Sequence, residues 1–135
     1  MAIKVKHIKP EFVDDRGYIS RIIDQDTYNI RAVLYLVRKK GARGADHFHK
    51  KDAHYIYVQS GKVKYGEYDT TKKNPKIEYV ILHQGDVVLS KPMIAHTTVF
   101  LEDTVMYAFT TENRDSKLYE KDTVRVDDFI KSEKK

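Results

Sequence analysis

The chain has 135 residues and a mass of 15.8 kDa, room for one domain with a sizeable core, whereas two would each sit near the lower size limit for independent folding. Hydrophobic residues make up 41% and charged residues 33%, a globular rather than a disordered composition without an apolar run of membrane-spanning length. The absence of cysteine excludes disulfides, thiolate catalysis, iron–sulfur clusters and cysteine zinc sites, and the net charge of +5 is spread over short clusters rather than one basic stripe, so anionic small molecules suit it and nucleic acid does not. In chain order, a first strand is expected over 4–8 and ends at Pro10. Asp14-Asp15-Arg16-Gly17 is a turn, and 18–23 is the next strand. Residues 31–39 (RAVLYLVRK) are continuously apolar in the middle and read as a buried strand. A glycine-containing loop fills 40–46. Strands over 54–59 and 62–68 meet at Ser60-Gly61 as a hairpin, and 69–75 is a polar connection. Strands over 76–82 and 86–89 flank the turn His83-Gln84-Gly85, and strands over 96–101 and 104–110 meet at Glu102-Asp103. Only 127–135, a charged tail, reads as helical. Strands at this regular spacing predict an all-β sandwich or small barrel.

Three of the six histidines fall within eight residues, in His47-Phe48-His49-Lys50-Lys51-Asp52-Ala53-His54. On a strand, His47 and His49 point to the same face. His54 opens the next apolar run after a turn-compatible Lys-Lys-Asp, so two adjacent strands would bring three imidazoles together. Neutral imidazole ligates zinc, copper, iron and nickel well, which makes this set a metal or catalytic site. His7 and His83 stand apart and read as ordinary surface or satisfied core histidines.

The spacing around these residues resembles the first motif of the cupin superfamily: Gly41, five residues, His47-x-His49, four residues, His54, six residues, Gly61. His54 stands where that motif carries a glutamate. The stretch from Gly85-Asp86 through Pro92 to His96 is similar to the second motif, with Lys91 for the usual proline, Met93 for the usual glycine and Phe100 where asparagine is common. The resemblance covers about residues 31–110. It implies one cupin domain over 1–135, a double-stranded β-helix (jelly-roll) barrel with N-terminal strands in 1–30 and a short C-terminal helix. It also implies that His47, His49, His54 and His96 hold a divalent transition metal such as zinc, nickel, iron or manganese. Four imidazoles would leave the cation its full charge and favour an anionic ligand or a metal-bound hydroxide. By alternation, Thr98 and Phe100 share a face with His96, and Ile56 and Val58 share one with His54, giving a partly apolar substrate-binding interior.

A second resemblance leads elsewhere. Pro10-Glu11-Phe12-Val13-Asp14-Asp15-Arg16-Gly17 resembles the opening of dTDP-4-dehydrorhamnose 3,5-epimerases and dTDP-sugar 3,4-ketoisomerases. Arg43-Gly44 followed by His47-x-His49-Lys50 is similar to the ketoisomerase pattern, with one extra residue before His47. Those isomerases work without a metal. The resemblance implies His49 or His47 as the base, Tyr35 as the acid if its face points inward, and Arg43 and Lys50 on the diphosphate. The first expectation is therefore a metal-binding cupin acting on a carbohydrate or related small molecule. The alternatives are a metal-free isomerase or epimerase of a nucleotide-activated sugar, and a non-catalytic ligand-binding cupin. A sugar or sugar-nucleotide ligand and a homodimer built through the N-terminal strands are expected, and no nucleic acid or membrane partner. With no signal-peptide core after Met1-Ala2-Ile3-Lys4, a cytoplasmic location is expected.

Overall fold

Buried and half-exposed residues alternate along 54–58 and 104–110, where every second side chain enters a shared interior, while 94–98 is buried throughout. The structure is a computed structural model that describes residues 3–134. Met1, Ala2 and Lys135, at the ends of the N-terminal segment and of the charged tail, lie outside the described residues. The elements are β1 (Lys6–His7), β2 (Phe12–Asp14), β3 (Gly17–Ile19), β4 (Ala32–Arg38), β5 (Arg43–His49), β6 (His54–Ser60), β7 (Lys62–Asp69), β8 (Glu78–His83), β9 (Asp86–Ser90), β10 (Ile94–Phe100), β11 (Thr104–Thr110), α1 (Ser116–Asp122), β12 (Thr123–Arg125) and α2 (Asp128–Glu133). One five-stranded sheet runs β1-β9-β6-β11-β4, and a second runs β12-β5-β10-β7-β8. All pairings are antiparallel, and β2 and β3 pair only with each other. This is the expected all-β jelly-roll barrel with a short C-terminal helix.

The connectivity differs from the expected hairpins. β6 and β7 are consecutive but lie in opposite sheets, as do β8 and β9, and β10 and β11. The corners close at Gly61, whose φ is +102°. A side chain there would drive into Thr104 and the Asp103 carbonyl, because the β6–β7 and β10–β11 corners pass against each other. The strand expected to be buried, β4, is instead the edge of its sheet. Leu34 and Leu36 face inward, while Val33, Tyr35 and Val37 are exposed. Helix α1 and strand β12 also went unforeseen. α1 is capped by the Asp115 carboxylate, which accepts from the Lys117 and Leu118 amides, and has no buried residue. It holds its place through Thr123, whose hydroxyl donates to the Tyr119 carbonyl, and through β12 on the free edge of β5.

The core lies between the sheets, at one end of the barrel. Ile56, Val58, Val63, Tyr65, Leu82, Val88, Phe100 and Met106 pack there. Each large apolar side chain so buried contributes about 1.5–3 kcal/mol. On the outside of the second sheet, α2 seats fully buried Phe129 against Tyr68 and Ala95. No helix among the described residues is long and apolar enough to cross a membrane.

Candidate active site

Next to this core the barrel interior is lined by histidines, and a β-bulge aims them. In the β5–β10 pairing, His96 faces His47 and Thr98 faces Gly44, so three steps on β5 match two on β10. The extra residue is absorbed at Ala45 and Asp46, whose φ values are 62° and 57°. Gly44 can therefore face the interior together with His47 and His49, which simple alternation forbids. Without a side chain, Gly44 leaves room beneath Thr98, whose Oγ1 would lie 2.9 Å from a Cβ at that position. His54 enters from the start of β6 and His96 from β10.

The four rings touch. Ring centroids are 4.6 Å apart for His47–His49, 4.8 Å for His47–His96, 4.9 Å for His54–His96 and 5.5 Å for His49–His54. The Nδ1 atoms of three of them have partners. His54 Nδ1 donates to Asp52 Oδ2 at 2.9 Å. Thr123 spends its hydroxyl proton on the Tyr119 carbonyl, so at 3.2 Å it accepts from His49 Nδ1. Ser90 Oγ lies 3.0 Å from His96 Nδ1. His49 Nε2 and His47 Nδ1 are buried without a partner. Burial first, then repulsion from the basic groups around them, pushes His47 down to about 4 and His49 down to about 3. The same causes hold His96 well below the ordinary histidine range. At neutral pH these three rings are neutral. Burial alone would raise the Asp52 carboxyl, but the hydrogen bond from His54 and the basic groups beside it, Arg114 among them, outweigh it and keep it below its usual value.

Above the histidines opens a cavity of about 400 Å³, within the usual range for small-molecule sites. Its apolar wall comprises Leu34, Leu36, Ile56, Phe100, Met106 and Ala108, and Thr98 adds a hydroxyl. Val58, expected on the same face as His54 and Ile56, lies deeper, in the core. Arg38 and the segment around α1, with Arg114, Ser116 and Tyr119, complete the lining. The Arg114 guanidinium lies 4.6 Å over the Tyr119 ring, and its Nη2 is 3.5 Å from Asp52 Oδ2.

Three residues proposed from sequence do not reach this cavity. Tyr35 is 63% exposed on the outer face of β4, so the condition attached to its acid role fails. Arg43 points away from the barrel interior and is held by Asp46 at 2.7 Å, Glu133 at 2.8 Å and Thr97 at 3.2 Å. Lys50 lies in a separate surface groove with Arg31, Lys51 and Lys121. The residues that sequence reasoning missed are Asp52, Arg38, Arg114, Ser116 and Tyr119. Only Asp52, two residues before His54 in the histidine cluster, carried a local signal.

No protein-family model and no curated protein matches the chain. Solved structures do. A sugar 3,4-ketoisomerase, QdtA from Thermoanaerobacterium thermosaccharolyticum in complex with TDP, superimposes with a TM-score of 0.72 at 20% identity, covering 97% of this chain and 93% of that one. A 3,4-ketoisomerase from Helicobacter canadensis gives 0.73 at 15% identity, covering 98% and 97%. The dTDP-4-dehydrorhamnose 3,5-epimerase of Bacillus anthracis, with TDP and PPi bound, gives 0.71 at 18%, covering 85% and 75%. At these identities the likeness carries the fold, which is that of the cupin-type isomerases and epimerases.

These findings correct the metal expectation. The barrel is shared with the branch whose chemistry the resemblance describes as metal-free, and the ligands named in those structures are TDP and diphosphate, not zinc, nickel, iron or manganese. Ligand atoms of His47, His49 and His96 lie within 4.8 Å of one another, and so do those of His49, Asp52 and His54.

Proposed function

We propose that the protein is an isomerase or epimerase of a nucleotide-activated keto-sugar, moving a proton at a carbon next to the carbonyl. The observation that carries this reading is the cavity itself, walled by His47 and His96, imidazoles kept neutral by burial, and open to an apolar chamber. It lies in a barrel shared at TM-scores of 0.71 to 0.73 with isomerases and epimerases. Isomerisation next to a carbonyl needs a base, an acid and a dry pocket, and it needs no redox partner. His47 and His49 supply neutral imidazole. Tyr119, with its ring centroid 5.6 Å from that of His49, takes the acid position that Tyr35 cannot fill. Arg38 and Arg114 at the cavity take the diphosphate in place of Arg43 and Lys50, since a guanidinium pairs bidentately with phosphate oxygens. Thr98 and Phe100 contact the sugar. The same reading makes the protein a homodimer.

Calorimetry with TDP and turnover of TDP-4-keto-6-deoxyglucose followed by proton NMR test it. TDP is expected to bind, and Arg114→Ala to weaken it by about 10-fold or more, the loss of a charge-assisted pair of 1.5–3 kcal/mol. Arg43→Ala is expected to leave TDP affinity unchanged and to lower thermal stability instead, because it removes the bonds to Asp46 and Glu133. Tight TDP binding without any turnover or proton exchange would favour the ligand-binding alternative, and no TDP binding at all would sink the nucleotide.

A further inference from the structure

The geometry points to His54, held by Asp52, as the group that takes the substrate's proton, a role that the resemblance gives to His49 or His47. This inference rests on the isomerase reading above. Asp52 is 2% exposed, and its carboxylate is fixed before any substrate arrives. Oδ1 accepts from the Thr111 amide at 3.0 Å and the Glu112 amide at 3.3 Å, and Oδ2 accepts from His54 Nδ1 at 2.9 Å. The Thr111 hydroxyl adds a bond to Oδ1 at 3.3 Å. The loop after β11 therefore clamps the turn between β5 and β6, and the turn in turn orients the His54 ring. Because Nδ1 donates to a carboxylate, the neutral ring carries its lone pair on Nε2, and His54 lines the cavity.

The other rings are less suited. His47 and His49 are held neutral by desolvation and by the positive charge of neighbours, which makes each a weak base. His49 has a threonine hydroxyl at Nδ1, with the Asp122 carboxylate farther off at 3.6 Å. His96 has a serine. His54 alone among the four has a carboxylate within hydrogen-bond distance to stabilise the imidazolium formed in the reaction, as a carboxylate does in acid–base triads. The groups facing His54 are Asp52, the rings of His49 and His96, and Arg114 across Asp52. In the step, the C–H bond next to the sugar carbonyl breaks and its electron pair moves onto the carbonyl oxygen as an enolate. The proton rests on His54 Nε2, a carbon of the same enolate takes a proton from the Tyr119 hydroxyl, and His54 gives its proton back to the tyrosinate, so no co-reactant is consumed. Asp52 is a positioning residue. His54 is the catalytic one.

The test follows deuterium exchange at the carbon next to the keto group of TDP-4-keto-6-deoxyglucose in D2O by NMR, beside TDP calorimetry. His54→Gln is expected to slow exchange at least about 100-fold while TDP affinity stays within about threefold, a change of under 1 kcal/mol. Asp52→Asn is expected to slow exchange by about 10–100-fold, the usual cost of losing an orienting partner. It should also abolish the downfield Nδ1–H resonance that a carboxylate-bound His54 shows in the wild type. Exchange at the wild-type rate in His54→Gln overturns the assignment and leaves the isomerase reading standing. A wild-type protein that neither binds TDP nor exchanges overturns that reading, and this assignment with it. Nitrogen-15 spectra of the wild-type protein decide without any variant, since a neutral His54 protonated on Nε2 rather than Nδ1 also overturns the inference.

Discussion

At the scale of single residues, the site is a problem of keeping imidazoles uncharged inside a barrel. Three of them, His47, His49 and His96, are displaced downward by burial. Between the ordinary histidine value of about 6.5 and the folded values of about 4 and about 3 for His47 and His49, the unfolded chain binds protons that the folded chain refuses. Stability is therefore full above that window and falls as pH drops through it, by up to about 1.4 kcal/mol per pH unit for each histidine. The Asp52 carboxyl, held below its usual value, adds its own loss only at still lower pH. Thermal melts between pH 7.5 and 4.5 should show a steady fall in Tm, shallower in the double variant His47→Gln, His49→Gln. A flat profile in the wild type would mean that these rings are hydrated or already charged. The histidines were legible in the sequence because same-face spacing on a strand is a local property. The partners of Asp52 were not, because Thr111 and Glu112 lie 59 and 60 residues away and meet it only when the loop after β11 closes on the β5–β6 turn.

At the scale of elements, the same limit explains which strands were read correctly. Their positions follow from apolar runs and turn residues, which are local. Their neighbours do not, because in a jelly roll each corner carries the chain to the other sheet, and a two-residue gap such as Ser60-Gly61 signals a hairpin and a crossing equally well. The apolar middle of β4 was read as burial, yet it marks an outer sheet face. The bulge at Ala45 and Asp46, just before His47, turns the histidines inward. That bulge stores strain. Ala45 sits at a φ of 62°, a left-handed conformation that costs a residue with a Cβ about 1–2 kcal/mol. Ala45→Gly relieves it, and after the added entropy of a glycine in the unfolded chain a net gain of about 0.5–1 kcal/mol is expected. Urea melts at unchanged m-value check this. A loss of stability would show that the Ala45 methyl packs in the cavity wall more tightly than the backbone is strained.

At the scale of the whole molecule, two apolar features of the described chain lack a partner. The outer face of the first sheet carries cross-strand rows of Tyr35, Tyr107 and Tyr57, and of Val33, Phe109 and Tyr55. Val33, Tyr35 and Val37 at its β4 edge are exposed. The β2–β3 hairpin has apolar residues on both of its faces, Phe12 paired with Ile19 and Val13 with Tyr18, all four exposed. A two-stranded ribbon is marginal in water by itself, and an open apolar edge strand invites pairing. On the proposed reading, a second copy would satisfy both needs under twofold symmetry, with the face and hairpin of one subunit meeting those of its partner. Sedimentation of the wild type at micromolar concentration is expected to give twice 15.8 kDa. Tyr35→Glu with Val37→Glu is expected to give the monomer with its strand content intact, because both side chains already point out of the barrel. A wild-type protein that sediments at 15.8 kDa would leave the hairpin and the aromatic face exposed in solution. The homodimer would then fall, while the histidine cavity, built entirely within one chain, would stand.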